Sequence, residues 1–158
     1  MAMAAAHPRV LGYLGRALSL ELSAVQQYMT HASLVERWGD AEAALRFRHE
    51  TVEEMRHAER LVQRMLDLGV APAASQLRPV GHAPDLLGLL RLNSQLETLL
   101  IDLYSEAVRF CVQIGDQANE SLFRELWSDE QHHGEELAHW ARSLTAPGSG
   151  QLPDRARF

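Results

Sequence analysis

The sequence predicts an all-α fold, a bundle of four long helices, and three observations carry that expectation. Leu and Ala dominate a composition with only 6% aromatics, which favours helix over a β-sandwich. Glycines and prolines gather at a few places and cut the chain into four segments of similar length. Within each segment the apolar residues recur at three- and four-residue spacing, the mark of a helix with one buried face. A chain of 158 residues is one domain and can bury a sizeable core.

The elements follow in order. Pro8 suits the first turn of a helix that runs to Trp38, where Gly39-Asp40 interrupts it. Asp40 can cap a second helix ending near Leu68, with Gly69 as terminator. Residues 70–83 hold Pro72, Pro79 and Gly81 and read as a loop. Pro84-Asp85 opens a third helix reaching Ile114 before Gly115-Asp116, and the fourth occupies 117–144. Helices of this length span about 42–46 Å, and two-residue turns make first and second, and third and fourth, antiparallel neighbours. The middle connection can reach about 49 Å, enough for a long crossover between the second and third helices. The expected layout is a bundle over 8–145 and an irregular tail over 146–158.

Charge and composition exclude several functions. A net charge of −6 argues against a phosphate-binding surface, so nucleic acid is not an expected partner. All 15 basic residues are Arg, which has no chemical reading. The single Cys111 excludes an intrachain disulfide and fits a reducing compartment. No apolar stretch approaches membrane-spanning length, and MAMAAAHPRV lacks the apolar run of a signal peptide. The expectation is a cytoplasmic protein with no membrane partner.

The apolar stripes break their own rule at six places. The first helix buries Leu14, Ala17, Leu18, Glu21, Val25 and Tyr28, and the third buries Leu90, Asn93, Glu97, Leu100, Tyr104, Val108 and Cys111. The second gives Phe47, Glu54, His57, Leu61 and Met65; the fourth gives Phe123, Trp127, Glu130, His133 and Leu137. Both of these carry Glu-x-x-His, whose spacing sets the two side chains on one face. Four carboxylates and two imidazoles therefore point into one core, where one unpaired charge costs several kcal/mol. Glu21 to Glu54 and Glu97 to Glu130 are both 33 residues, so the halves are pseudo-repeats, each donating Glu…Glu-x-x-His. Two divalent ions would neutralise the four carboxylates, and this donor set suits iron or manganese better than structural zinc. The competing reading is a hydrogen-bonded Glu/His core network.

On these residues, and on the runs LSLELSAVQQYMTHASLVERWG, RHETVEEMRHAERL and DEQHHGEEL, the chain resembles bacterioferritin across roughly 8–145. The resemblance implies a ferritin-like bundle and a ferroxidase centre of two iron ions per subunit, bound by Glu21, Glu54, His57, Glu97, Glu130 and His133. Glu54 and Glu130 would bridge, Glu21 and Glu97 would be terminal, and Tyr28 matches the tyrosine that the family places beside the centre. The implied chemistry is oxidation of Fe(II) by O₂ or peroxide, serving iron storage and detoxification. The family also holds heme b between two subunits by a methionine from each. Met55 occupies that position, and Leu22, Val25 and Met29 form a seam beside it on the first helix. Read from the residues alone, Met55 equally suits packing in a subunit interface.

Other positions carry weaker expectations. His49 and Glu53 form an i,i+4 pair where some bacterioferritins bind an iron on the inner surface, and solvated residues are the plainer reading. Asn93, where the family has an aspartate, is placed to accept from the ring N–H of His133. Tyr104 departs from the family pattern; it is either an electron or proton source or a buried phenol bonded to a ligand carboxylate. His132 and His139 read as solvated and Cys111 as core.

The resemblance implies a homodimer at least and, in full, a hollow 24-subunit cage. The tail TAPGSGQLPDRARF lacks the apolar period of the fifth C-terminal helix that closes such cages, which puts storage by this chain alone in question. Two rivals follow: a non-storing di-iron oxidase or peroxidase of rubrerythrin type, and a subunit that co-assembles with another ferritin. Against the first, Leu100 and Ile101 stand where rubrerythrins add a glutamate, and one cysteine cannot build their Cys₄ domain.

Overall fold

The computed structural model describes residues 5–147, and among these there are four helices and no strand. They are α1 (Pro8–Arg37), α2 (Ala41–Asp67), α3 (Leu86–Ile114) and α4 (Gln117–Thr145). Of the tail expected over 146–158, residues 148–158 lie outside the described residues.

Each boundary has a local cause. The side chains of Asp40, Asp85 and Asp116 accept from the backbone N–H of Ala43, Gly88 and Asn119, so three helices begin on an aspartate cap. The two short turns close on Gly39 (φ 84°) and Gly115 (φ 71°), left-handed conformations that favour glycine. α1 and α2 end at Arg37 and Asp67, one residue before the expected Trp38 and Leu68, which cap them.

Cross-helix hydrogen bonds give the topology. Tyr13 pairs with Glu106, Glu21 with Tyr104 and Tyr28 with Glu97, so α3 runs antiparallel to α1. The long α2–α3 connection therefore travels the bundle's length, and α1 holds it with a polar ladder. Ser19 and Ser23 accept from the backbone N–H of Gln76 and Arg78, and Gln27 Oε1 accepts from Gly81 N–H. His31 Nε2–H donates to the Gly81 carbonyl at 2.8 Å. These four residues recur every fourth position, on one face of α1. Such anchoring satisfies crossover backbone groups that would otherwise lie against an apolar helix.

The core is leucine-rich, with Tyr13, Tyr28, Phe47, Tyr104 and Phe123 fully buried within it. At mid-bundle the apolar packing gives way to Glu21, Glu54, His57, Glu97, Glu130 and His133, all buried. Val25 and Trp127, expected in the inward stripes, are only half-buried. No helix is long and apolar enough to cross a membrane, among the described residues.

Candidate metal centre

The six polar residues converge from all four helices. α1 contributes Glu21, α2 contributes Glu54 and His57 one turn apart, α3 contributes Glu97, and α4 contributes Glu130 and His133. Their ligand atoms form two overlapping clusters: Glu21, Glu54, His57 and Glu130, and Glu54, Glu97, Glu130 and His133. Within each, the atoms lie within 4.8 Å of one another. Glu54 and Glu130 belong to both, so the two clusters share a pair of carboxylates.

Both imidazoles turn Nδ1 toward the middle. His57 Nδ1 lies 2.7 Å from Glu130 Oε1, 3.3 Å from Glu54 and 3.5 Å from Glu21. His133 Nδ1 lies 2.9 Å from Glu54 Oε1, 3.3 Å from Glu130 and 4.0 Å from Glu97. The rings face each other nearly parallel, their centroids 5.6 Å apart. His57 Nε2 is held by Asp129 at 3.2 Å, which orients the ring so that Nδ1 points inward.

Two phenols complete the wall. Tyr28 donates to Glu97 Oε1 at 2.7 Å and Tyr104 donates to Glu21 Oε1 at 2.5 Å. The second oxygens of Glu21, Glu54 and Glu97 are buried without a hydrogen-bond partner. Unsatisfied carboxylate oxygens are costly in a protein interior, and several at one place make a site that could hold a cation.

The electrostatics carry the same strain. Burial, then the charges of Glu97 and Glu21, pushes the Glu54 carboxyl up to about 8. Burial, then the charges of Glu21 and Glu54, pushes Glu130 up to about 7. Glu97 rises for the same causes, burial first and then Glu130. Burial alone would push both imidazoles down. The carboxylates of Glu130, Glu21 and Glu54 around its ring outweigh it at His57, and those of Glu130 and Glu54 lift His133 to about 12. Burial would also raise Glu21, but its hydrogen bonds from His57, Glu54 and Tyr104 leave it below the usual carboxylate range. Protons thus do the neutralising in the metal-free protein, and two divalent ions would replace them.

One expected contact is absent. Asn93 does not reach His133; it accepts from Gln27 Nε2 at 2.9 Å and donates to His31 Nδ1 at 3.1 Å. A full helical turn separates it from Glu97, which places it level with the crossover ladder rather than with the centre. Sequence reasoning missed Asp129 and Glu50. Glu50 lies one turn before Glu54, its Oε2 without a hydrogen bond and 3.6 Å from His133 Nδ1. It also lines an open groove of about 980 Å³ between α2 and α4, with His49, His132 and His139. Glu53 instead accepts from Arg56 at 2.6 Å.

The seam residues lie on the outside of the bundle. Met55 is 54% exposed and Met29 52%, while Leu22 and Val25 are half-buried. With Glu54 facing the core, its chain neighbour Met55 is rotated about 100° away from it.

Fold and site together define a class: four-helix carboxylate bundles built around a two-metal core. The ferritin-like domain family matches residues 11–146. Bacterioferritin of Rhodobacter capsulatus is 35% identical over 127 residues, 79% of this chain and 78% of that protein. A bacterial ferritin of Neisseria meningitidis serogroup A is 30% identical over 142 residues, 89% of this chain and 92% of that protein. A solved structure of the R. capsulatus bacterioferritin superposes with a TM-score of 0.86 at 29% identity, covering 94% of this chain and 100% of that one. That protein has a dinuclear site, metal-free there, and a heme iron in a crystallographic special position. The chain belongs to the ferritin-like family and, within it, to the bacterioferritins.

Proposed function

We propose that the chain is a bacterioferritin-type ferroxidase that oxidises Fe(II) to Fe(III) with O₂ or peroxide at a di-iron centre inside each subunit, in the service of iron storage and detoxification. The observation that carries this reading is the pair of ligand clusters sharing Glu54 and Glu130, with unpartnered carboxylate oxygens turned into them. Glu54 and Glu130 would bridge two ions, Glu21 and Glu97 would close the two ends, and His57 and His133 would bind through Nδ1. Two bound Fe(II) ions supply one electron each, so the oxidant meets a two-electron donor. The chain's own residues prepare the place for them. Tyr28 fixes the orientation of Glu97, Asp129 that of His57, and the leucine-rich layers exclude bulk water. Crystals soaked anaerobically with Fe(II) should show two anomalous peaks per chain at the iron edge among these six residues. A single tetrahedral ion, or none, would sink the reading.

The heme reading rests on Met55. Its thioether is a soft donor standing exposed on α2, and the resemblance supports a reading in which it would hold heme b shared by two subunits. Protein expressed with excess heme should take up one per two chains and give a six-coordinate bis-thioether spectrum, which Met55→His should alter. If the wild type takes up none, Met55 is interface packing and no more.

Assembly follows from the same face. Leaving the Leu22, Val25 and Met29 seam and Met55 in water is unfavourable, so this side forms an isologous interface with a second copy. A dimer is the minimal unit. The outer helix faces then build the cage, in a cytoplasmic setting. Light scattering on pure protein should separate a 24-subunit shell from a dimer. Dimers at every concentration and iron load would leave oxidation without storage, or storage only in company with another ferritin.

A further inference from the structure

The centre has two tyrosines, and they are related by the internal repeat. Residues of the first half recur 76 positions later: Glu21 and Glu97, Tyr28 and Tyr104, Phe47 and Phe123, Glu54 and Glu130, His57 and His133. The structure keeps this symmetry in three dimensions. Each phenol donates to the other half's carboxylate, Tyr28 to Glu97 and Tyr104 to Glu21. Each ring also packs tilted against the phenylalanine of its own half, Tyr28 on Phe47 at 6.1 Å and Tyr104 on Phe123 at 6.2 Å. Both tyrosines have no exposed surface.

Holding Glu21 asks only for a hydroxyl donor within reach. A phenol adds a one-electron oxidation that becomes accessible when its proton has an acceptor within hydrogen-bond distance. Tyr104 meets that condition through Glu21 Oε1.

Resting on the ferroxidase reading, we propose that Tyr104 is redox-active and, paired with its repeat mate Tyr28, delivers one electron and one proton toward the reduction of dioxygen, each phenol using its own carboxylate acceptor. The step balances. Dioxygen is the oxidant and takes four electrons, one from each of two Fe(II) substrate ions and one from each of the two phenols. Its O–O bond breaks and four O–H bonds form, giving two waters. Two of the four protons come from the phenol hydroxyls by way of Glu97 and Glu21, and two come from solvent. Two Fe(III) ions and two phenoxyl radicals remain. Two further Fe(II) ions, each with a solvent proton, restore the phenols. One centre with two tyrosines can therefore reduce dioxygen completely without releasing peroxide.

The test is spectroscopic. Anaerobic protein loaded with two Fe(II) per chain is mixed with O₂, freeze-quenched and examined by electron paramagnetic resonance. The wild type should show a tyrosyl signal; Tyr104→Phe and Tyr28→Phe should each halve the spins, and the double variant should abolish them. Because Tyr104→Phe also removes the hydrogen bond to Glu21, a second protein carries a ring-fluorinated tyrosine at position 104. That side chain keeps the hydroxyl, and half of its spins should show fluorine hyperfine splitting. A radical unaltered by the fluorine, or rapid Fe(II) oxidation with no radical, overturns the proposal and leaves the ferroxidase reading standing. Failure to bind or oxidise two Fe(II) per chain overturns both.

Discussion

Glu54→Ala should abolish rapid Fe(II) oxidation while the bundle stays folded. Glu54 belongs to both ligand clusters, so its loss opens both metal positions at once, whereas Glu21 or Glu97 serves only one. It also removes the 2.9 Å partner of His133 Nδ1 and leaves that ring held by Glu130 at 3.3 Å. Changing a group that merely orients a ligand costs about 10–100-fold in metal affinity or activity. Loss of a shared ligand should exceed that, with a fall in the initial oxidation rate of more than about 100-fold. The metal-free fold should lose little, because the deleted carboxyl is buried beside Glu97 and Glu21 and opposes folding when charged. Glu125→Ala is the control: that side chain is exposed, paired with Arg60 on the bundle surface and outside both ligand clusters. Stopped-flow oxidation of Fe(II), with thermal unfolding of the same metal-free samples, makes the measurement. A near-normal rate in Glu54→Ala would move the chemistry elsewhere in the molecule.

Much of this arrangement is legible in the sequence because it breaks a strong rule. Charged residues in apolar stripes are conspicuous, and the equal spacing of the two halves ties them into one site. Helix ends are legible for a related reason: aspartate caps and left-handed glycines act locally, within one turn. What escapes is whatever depends on the relative height of elements along the bundle. Asn93 sits on the correct face but a turn too high, and only the packed helices show that it meets Gln27 and His31. Asp129 escapes because it lies off the inward stripe and reaches His57 sideways from the next helix. Glu50 was within reach, since it lies one turn from Glu54 on nearly the same face, but a single partly buried glutamate resembles any solvated one. Ser19, Ser23, Gln27 and His31 stand at strict four-residue intervals, a signal that turns into an anchor only once the crossover lies against it.

Metal binding should reverse the pH dependence of stability. In the metal-free protein, Glu54, Glu130, Glu97, His57 and His133 all bind their protons more tightly than in the unfolded chain. The unfolded carboxyls lose theirs near 4.5 and the unfolded imidazoles near 6.5. Above those values the folded state holds protons that the unfolded state has released, so stability falls as pH rises. The loss runs through about 7 at Glu130 and about 8 at Glu54, and continues toward about 12 at His133. Glu21 has the opposite sign, and its contribution is lost as pH falls below the usual carboxylate range. Each retained proton shifts stability by about 1.4 kcal/mol per pH unit, so a few coupled groups give a visible slope. Divalent ions bind only the deprotonated ligands, so their affinity rises over the same interval and each ion displaces protons. The expected result is a metal-free melting temperature that declines between pH about 5 and about 8, while protein saturated with anaerobic Fe(II) stays level or rises. The gap between the curves should widen steadily, and a pH-stat should record proton release on Fe(II) addition. Parallel curves, or binding without proton release, would mean that the six residues do not hold the ions.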